Sequence, residues 1–142
     1  MLTCTFFGHR DCPDSISPKL QGCIEHLIVT KNVSRFYVGH QGRFDILALK
    51  ALRELKGQYP VITYYVVLAY LPQKQLPYDP EETIYPEGLE TVLPRFAIQR
   101  RNRWMVDHSD FVVAALDRNF GGASEAVRYA RRQGKVVIDC KD

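Results

Sequence analysis

Three glycine-marked stretches hold the residues whose types and spacing could do chemistry: Gly8-His9-Arg10, Gly39-His40-Gln41-Gly42, and Gly121-Gly122 leading into Ala123-Ser124-Glu125. Glycine lets a backbone turn sharply and approach a ligand closely. Gly121-Gly122 runs into a predicted helix whose first amides, those of residues 123–125, have no partners within the helix. Such a helix start binds phosphate through its N–H groups and the positive end of its dipole. Arg10 can pair with a phosphate in a bidentate manner, and His9 and His40 can donate to it, act as acids or ligate a metal. Together these residues point to a nucleotide or nucleotide-derived ligand. The plainer role of the glycines is to permit tight strand-to-helix turns.

Arg95, Arg100, Arg101 and Arg103 form the densest basic cluster. Most of it reads as a solvated helix face, but Arg101 precedes Met105 by one turn and shares its inward side. A charge placed there needs an anion or an acidic neighbour. Ser124 is a further donor at the helix start. Glu125 in the same turn stabilises the helix through its dipole, and in an enzyme it would assist N-glycosidic cleavage while Arg101 held a 5′-phosphate. His9, His40 and Asp45 could form a small metal site, yet no metal-ligand spacing such as HExxH occurs, so neither a metal nor a resident cofactor is expected. His26 and His108 read as helix-surface and helix-end residues.

The elements that must position these residues follow from periodicity. Thr3–Phe7, Arg35–Val38, Val61–Ala69, Phe111–Leu116 and Val136–Cys140 read as strands, with the run at 61–69 apolar enough to be buried on both faces. Helices follow from Ser17 as N-cap with Pro18 in the first turn, then over Phe44–Leu55, Phe96–Ser109 and Ser124–Arg132. The segment 71–94 carries five prolines; no regular structure is expected there beyond Thr83–Tyr85, and its length suits a flap over the site. Strands alternating with helices predict an α/β, Rossmann-like three-layer fold with a five-stranded parallel sheet in the order 3-2-1-4-5. Ligands bind such sheets at the carboxyl ends of the strands where the order reverses. That reversal brings together 8–10 and 117–122.

The chain of 142 residues, 46% of them apolar, suffices for one domain spanning 1–142. The net charge of +3 tolerates an anionic ligand without indicating a dedicated nucleic-acid surface. Cys4, Cys12, Cys23 and Cys140 have no paired spacing and read as small apolar groups. No signal peptide or membrane-spanning run is visible, so a cytoplasmic protein is expected.

Gly8-His9-Arg10, the stretch from Arg100 to Asp110, and Gly121-Gly122 leading into Val127-Arg128-Tyr129-Ala130 resemble the SLOG superfamily, and within it the YpsA-like bacterial branch. The resemblance runs over nearly the whole chain. It implies a Rossmann-like fold, a nucleotide-derived ligand of ADP-ribose, NAD or nucleoside-phosphate type at the same rim, and a homodimer. The superfamily includes the lonely-guy phosphoribohydrolases, whose motif of arginine, methionine and aspartate is matched by Arg101, Met105 and Asp110. Their acidic pair is reduced here to Glu125 followed by Ala126, and Ala123 replaces their threonine. The phosphate-holding half of that motif is therefore better kept than the catalytic half. The superfamily also includes the DNA-processing protein DprA. Single-stranded nucleic-acid binding would use the arginine cluster and aromatics such as Tyr78, Tyr85 and Trp104. With a mild net charge and no companion domain apparent, nucleic acid is not expected as a partner.

Overall fold

A computed structural model describes residues 1–72 and 75–141. The strands are β1 (Leu2–Gly8), β2 (Val33–Val38), β3 (Thr63–Val67), β4 (Thr83–Ile84), β5 (Phe111–Ala115) and β6 (Val136–Asp139). The helices are α1 (Ser17–Lys31), α2 (Arg43–Gln58), α3 (Ala97–Asp107) and α4 (Gly122–Arg132).

All pairings are parallel, and the sheet order is β4-β3-β2-β1-β5-β6. The expected order is thus reproduced with one strand added at the edge. Two β-branched residues, Thr83 and Ile84, pair with Val66 and Val67, and the Leu68 amide donates to the Ile84 carbonyl at 2.8 Å. Prolines at 80 and 86 bracket this strand and keep it two residues long, too short to stand out by period. Proline is tolerated there because an edge strand needs only one ladder.

Alternation along the strands sorts their side chains to two faces. Phe6, Phe36 and Val38 meet Leu20, Ile24, Leu47 and Leu52 of α1 and α2. On the other face Phe7, Tyr37, Val112 and Ala114 meet Met105 and Val106 of α3 and Ala126, Val127 and Ala130 of α4. Small residues on α4 let it lie close to the sheet. Each fully buried leucine or phenylalanine stabilises this core by about 1.5–3 kcal/mol. The four cysteines are free thiols within or beside it. Burial pushes Cys140 up to about 12, which suits a packing role.

Three local expectations change. Ser17 is the first helical residue rather than a cap: a 3-10 turn over Asp14–Ile16 feeds directly into α1, so no capping hydroxyl is needed. The run 61–69 is buried on both faces only in its second half: Val66 to Ala69 are buried, whereas Val61 is exposed and Thr63 to Tyr65 are half-buried. The described residues of 71–94 form no flap over the strand ends. Leu76, Tyr78 and Tyr85 pack against the α1–α2 core, and Leu89 is buried, so this segment closes the sheet edge instead.

Candidate functional site

The switch point lies between β1, which leads through α1 to β2, and β5, which leads through α4 to β6. A cavity of about 270 Å³ opens there, just below the range of about 300–1,000 Å³ usual for ligand sites. Its walls come from the loop after β1, the turn between β2 and α2, and the start of α4; α3 supplies the floor. Gly8, His9, Arg10, Gly39, Gly42, Arg101, Gly121, Gly122 and Ala123, all singled out from sequence, line it.

The glycines divide into two kinds. A side chain on Gly8 would collide with the Phe44 ring, and one on Gly42 would lie 2.5 Å from Arg10 Cα. These two allow the fold to close. Gly39 separates two opposite charges, since a Cβ there would lie 3.0 Å from Asp45 Oδ2 and 3.2 Å from Arg101 Nη1. At the start of α4, by contrast, a Cβ on Gly121 or Gly122 would meet no atom within 4 Å. Gly121 adopts φ +96°, which favours glycine, and no side chain caps the helix. The first amides of α4 therefore face open cavity with their dipole end uncovered.

Arg101 is 2% exposed. Its Nε donates to Asn102 Oδ1 at 2.9 Å, and its Nη1 donates to the Val67 carbonyl at 2.9 Å and Gln41 Oε1 at 3.3 Å. The acidic neighbour expected from sequence is Asp45, on the opposite side of Gly39 and without a direct salt bridge. Burial pushes the Arg101 guanidinium down, and the Asp45 carboxylate pulls it back up. Burial likewise raises Asp45, opposed by the Gln41 amide that donates to Oδ2 at 2.8 Å and by Arg101. This pair makes a floor that is polar yet nearly neutral, so the freely available cation is Arg10. It is exposed and enters no side-chain hydrogen bond or salt bridge among the described residues.

His9 is 7% exposed. Its Nε2 makes no hydrogen bond and lies 3.5 Å from Asp117 Oδ1. His40 does not line the cavity; burial, then the charge of Arg101, pushes it down to about 4, so it is neutral at physiological pH. Among the described residues no three histidine, cysteine or acidic side chains come together as metal ligands. Ser124 turns away, donating to the Arg118 carbonyl at 2.9 Å, and so holds the loop before α4 rather than a ligand. Glu125 lines an adjoining groove, so it and Arg101 do not share one cavity.

Sequence reasoning placed the segment 117–122 at the switch point but gave Arg118 and Phe120 no role, and both line the cavity. Arg118 clasps Asp11 through Nη2 to Oδ1 at 2.5 Å, tying the loop after β1 to the loop after β5 across the cavity mouth. Their place immediately before Gly121-Gly122 was the available signal. The aromatics also differ from expectation. Trp104 packs 5.1 Å from Tyr37 and stacks on His108 at 4.1 Å, and Tyr78 and Tyr85 pack against the core. The exposed rings beside the arginines are Phe96 and Phe120.

No family profile and no curated protein matches the chain. Solved structures do. The DNA processing protein A (DprA) of Streptococcus pneumoniae superposes with a TM-score of 0.70 at 17% identity, over 96% of this chain and 49% of that one. The fold is similar to that of DNA processing protein A. A second such protein, from Helicobacter pylori, superposes with a TM-score of 0.60 at 17% identity, over 96% of this chain and 63% of that one. This chain therefore spans about half to three-fifths of the length of those neighbours. The Helicobacter pylori protein binds single-stranded DNA. That finding overturns the exclusion of nucleic acid as a partner. The physical error was to use net charge, which averages over the surface: Glu81, Glu82, Glu87 and Glu90 lie in one segment, while Arg100, Arg101 and Arg103 lie on α3 and Arg128, Arg131 and Arg132 on α4. No helix among the described residues is long and apolar enough to cross a membrane.

Proposed function

We propose that the cavity at the switch point seats one nucleotide of a single-stranded nucleic acid and grips its phosphate. The observation that carries this reading is the uncapped, glycine-opened start of α4 facing the same cavity as the unpaired Arg10. A positive helix end and an unpaired guanidinium on separate walls complement one phosphate. The Arg101–Asp45 floor adds donors without adding net charge, which leaves the phosphate as the main charge in the site. The likeness to a single-strand-binding fold supports the polymeric form of the ligand. Assignment to the YpsA-like branch rests on the Arg100–Asp110 and Gly121-Gly122 motifs alone.

A free nucleotide or nucleotide-derived ligand is the second reading, favoured by the size of the cavity, which suits one unit. Binding of a fluorescent oligo-dT by anisotropy, with competition by nucleoside monophosphates, NAD and ADP-ribose, separates the two. The expected result is oligonucleotide binding that weakens about fivefold in Arg10→Ala, the loss of one exposed charge-assisted contact worth about 1 kcal/mol. Binding of a mononucleotide with none of the oligonucleotide would favour the second reading. Binding of neither rejects both.

A further inference from the structure

Beyond the cavity, two further depressions follow the exposed faces of α3 and α4. The first, about 230 Å³, shares Asn102 and Gly122 with the switch-point cavity and continues between Arg103 of α3 and Arg128 and Arg132 of α4. The next, about 400 Å³, shares Gln99 and Arg103 with the first and reaches Arg100 and Phe96. The three depressions are thus joined end to end. Successive faces of α3 line them, from Arg101 and Met105 through Asn102 to Gln99, Arg100 and Arg103, so the path passes around that helix.

The path is cationic, and its arginines form no salt bridge among the described residues. The salt bridges among the described residues use His9, Arg43, Arg53 and Arg118; Arg95, Arg100, Arg103, Arg128 and Arg132 enter none. All five are exposed. Arg103 and Arg132 flank the Tyr129 ring at 5.1 and 5.8 Å, and Arg95 lies 4.9 Å over Phe96. These rings hold the guanidinium groups in place while leaving their N–H edges to solvent. Arg128 spends one N–H on the Asn119 carbonyl. The single carboxylate lining the first depression is that of Glu125; Asp107, on the same side of α3, accepts from the Tyr129 hydroxyl at 2.7 Å. Against these two acids stand Arg100, Arg103, Arg128 and Arg132, so bases outnumber acids along the path.

We infer that the α3–α4 groove is a track for the phosphates of the nucleotides flanking the one in the cavity, with exposed Phe96 available for base stacking. The inference rests on the single-strand reading of the cavity. It differs in assigning the length dependence and most of the salt dependence of binding to residues outside that cavity.

The test uses thymidine 5′-monophosphate, which has no flanking nucleotide, and labelled dT16, with the wild type, Arg10→Ala, and the double variant Arg103→Gln/Arg132→Gln. Both groove positions are exposed, so the fold is expected to survive, and circular dichroism checks it. The double variant is expected to bind dT16 about tenfold more weakly and the mononucleotide within about twofold of wild type, with the slope of log affinity against log salt for dT16 shallower by about 1.4. Unchanged dT16 affinity and slope overturn the track. Equal losses on both ligands also overturn it, since the arginines would then act on the cavity. If the wild type does not bind dT16, the single-strand reading itself fails. If Arg10→Ala weakens dT16 and the double variant does not, only the track fails.

Discussion

Replacing Gly8 and Gly122 separately by alanine should pull apart the two kinds of rim glycine. A methyl on Gly8 would lie 2.5 and 2.7 Å from Phe44 Cδ2 and Cδ1, and closer still to Cγ. Phe44 is 1% exposed and packed in the α1–α2 core, so its ring has nowhere to go without displacing its neighbours. Overpacking of this kind costs about 1–3 kcal/mol, and the overlap with three ring atoms places Gly8→Ala at the upper end. For a chain of this size about 3 kcal/mol corresponds to a fall in Tm of roughly 10 °C. Gly122→Ala should do the opposite. Its Cβ meets nothing, the residue is helical, and such a replacement stabilises by about 0.4–1 kcal/mol. The same methyl, however, stands in the cavity over the helix start and should weaken oligonucleotide binding about fivefold or more, on the order of 1 kcal/mol of lost phosphate contact. Thermal denaturation and anisotropy on the same preparations give both readouts. Gly8→Ala with a Tm within 2 °C of wild type would refute the packing argument. Gly122→Ala with wild-type binding would refute the placement of the phosphate. The pair Gly8→Ala/Phe44→Leu should recover part of the lost Tm, because the smaller side chain leaves room for the methyl.

His40 predicts a pH dependence. Its folded-state value of about 4, against an ordinary 6.5, means the unfolded chain binds the extra proton first, so its contribution is complete above pH 6.5 and lost as pH falls from 6.5 toward 4. The full shift corresponds to about 3 kcal/mol, and partial exposure of the ring reduces this to about 1–2 kcal/mol. Urea unfolding of wild type and His40→Gln at pH 7 and pH 4.5 checks it: the variant should lose less stability on acidification, and parallel losses would remove His40 as the cause. Arg101→Met should cost about 3–5 kcal/mol, because it strips the Val67 carbonyl and Gln41 of a donor and leaves Asp45 without its cation. Adding Asp45→Asn should restore part of that loss in urea titrations; no restoration would show that the two charges are not coupled.

The order of the central strands was legible because each strand is a short β-branched or aromatic run and each helix shows a three- and four-residue period. The added edge strand was not, since two residues carry no period and pair only because β3 offers an open ladder. The rim was legible for the same reason as the fold: glycines directly after predicted strands must sit at one end of a parallel sheet. What each glycine does there was hidden, because Gly8 and Gly122 look alike in the sequence and differ only in whether Phe44 or empty space stands opposite them. Arg101 shows the same limit from the charge side. Its burial followed from its spacing to Met105, whereas its partner Asp45 lies on another helix, and only the fold brings both against Gly39. That internal balance is why the proposed anion-binding role falls to Arg10 and the arginines of α3 and α4. Charge that is already neutralised inside a wall cannot recruit a ligand strongly, while charge left unpaired along an open groove can.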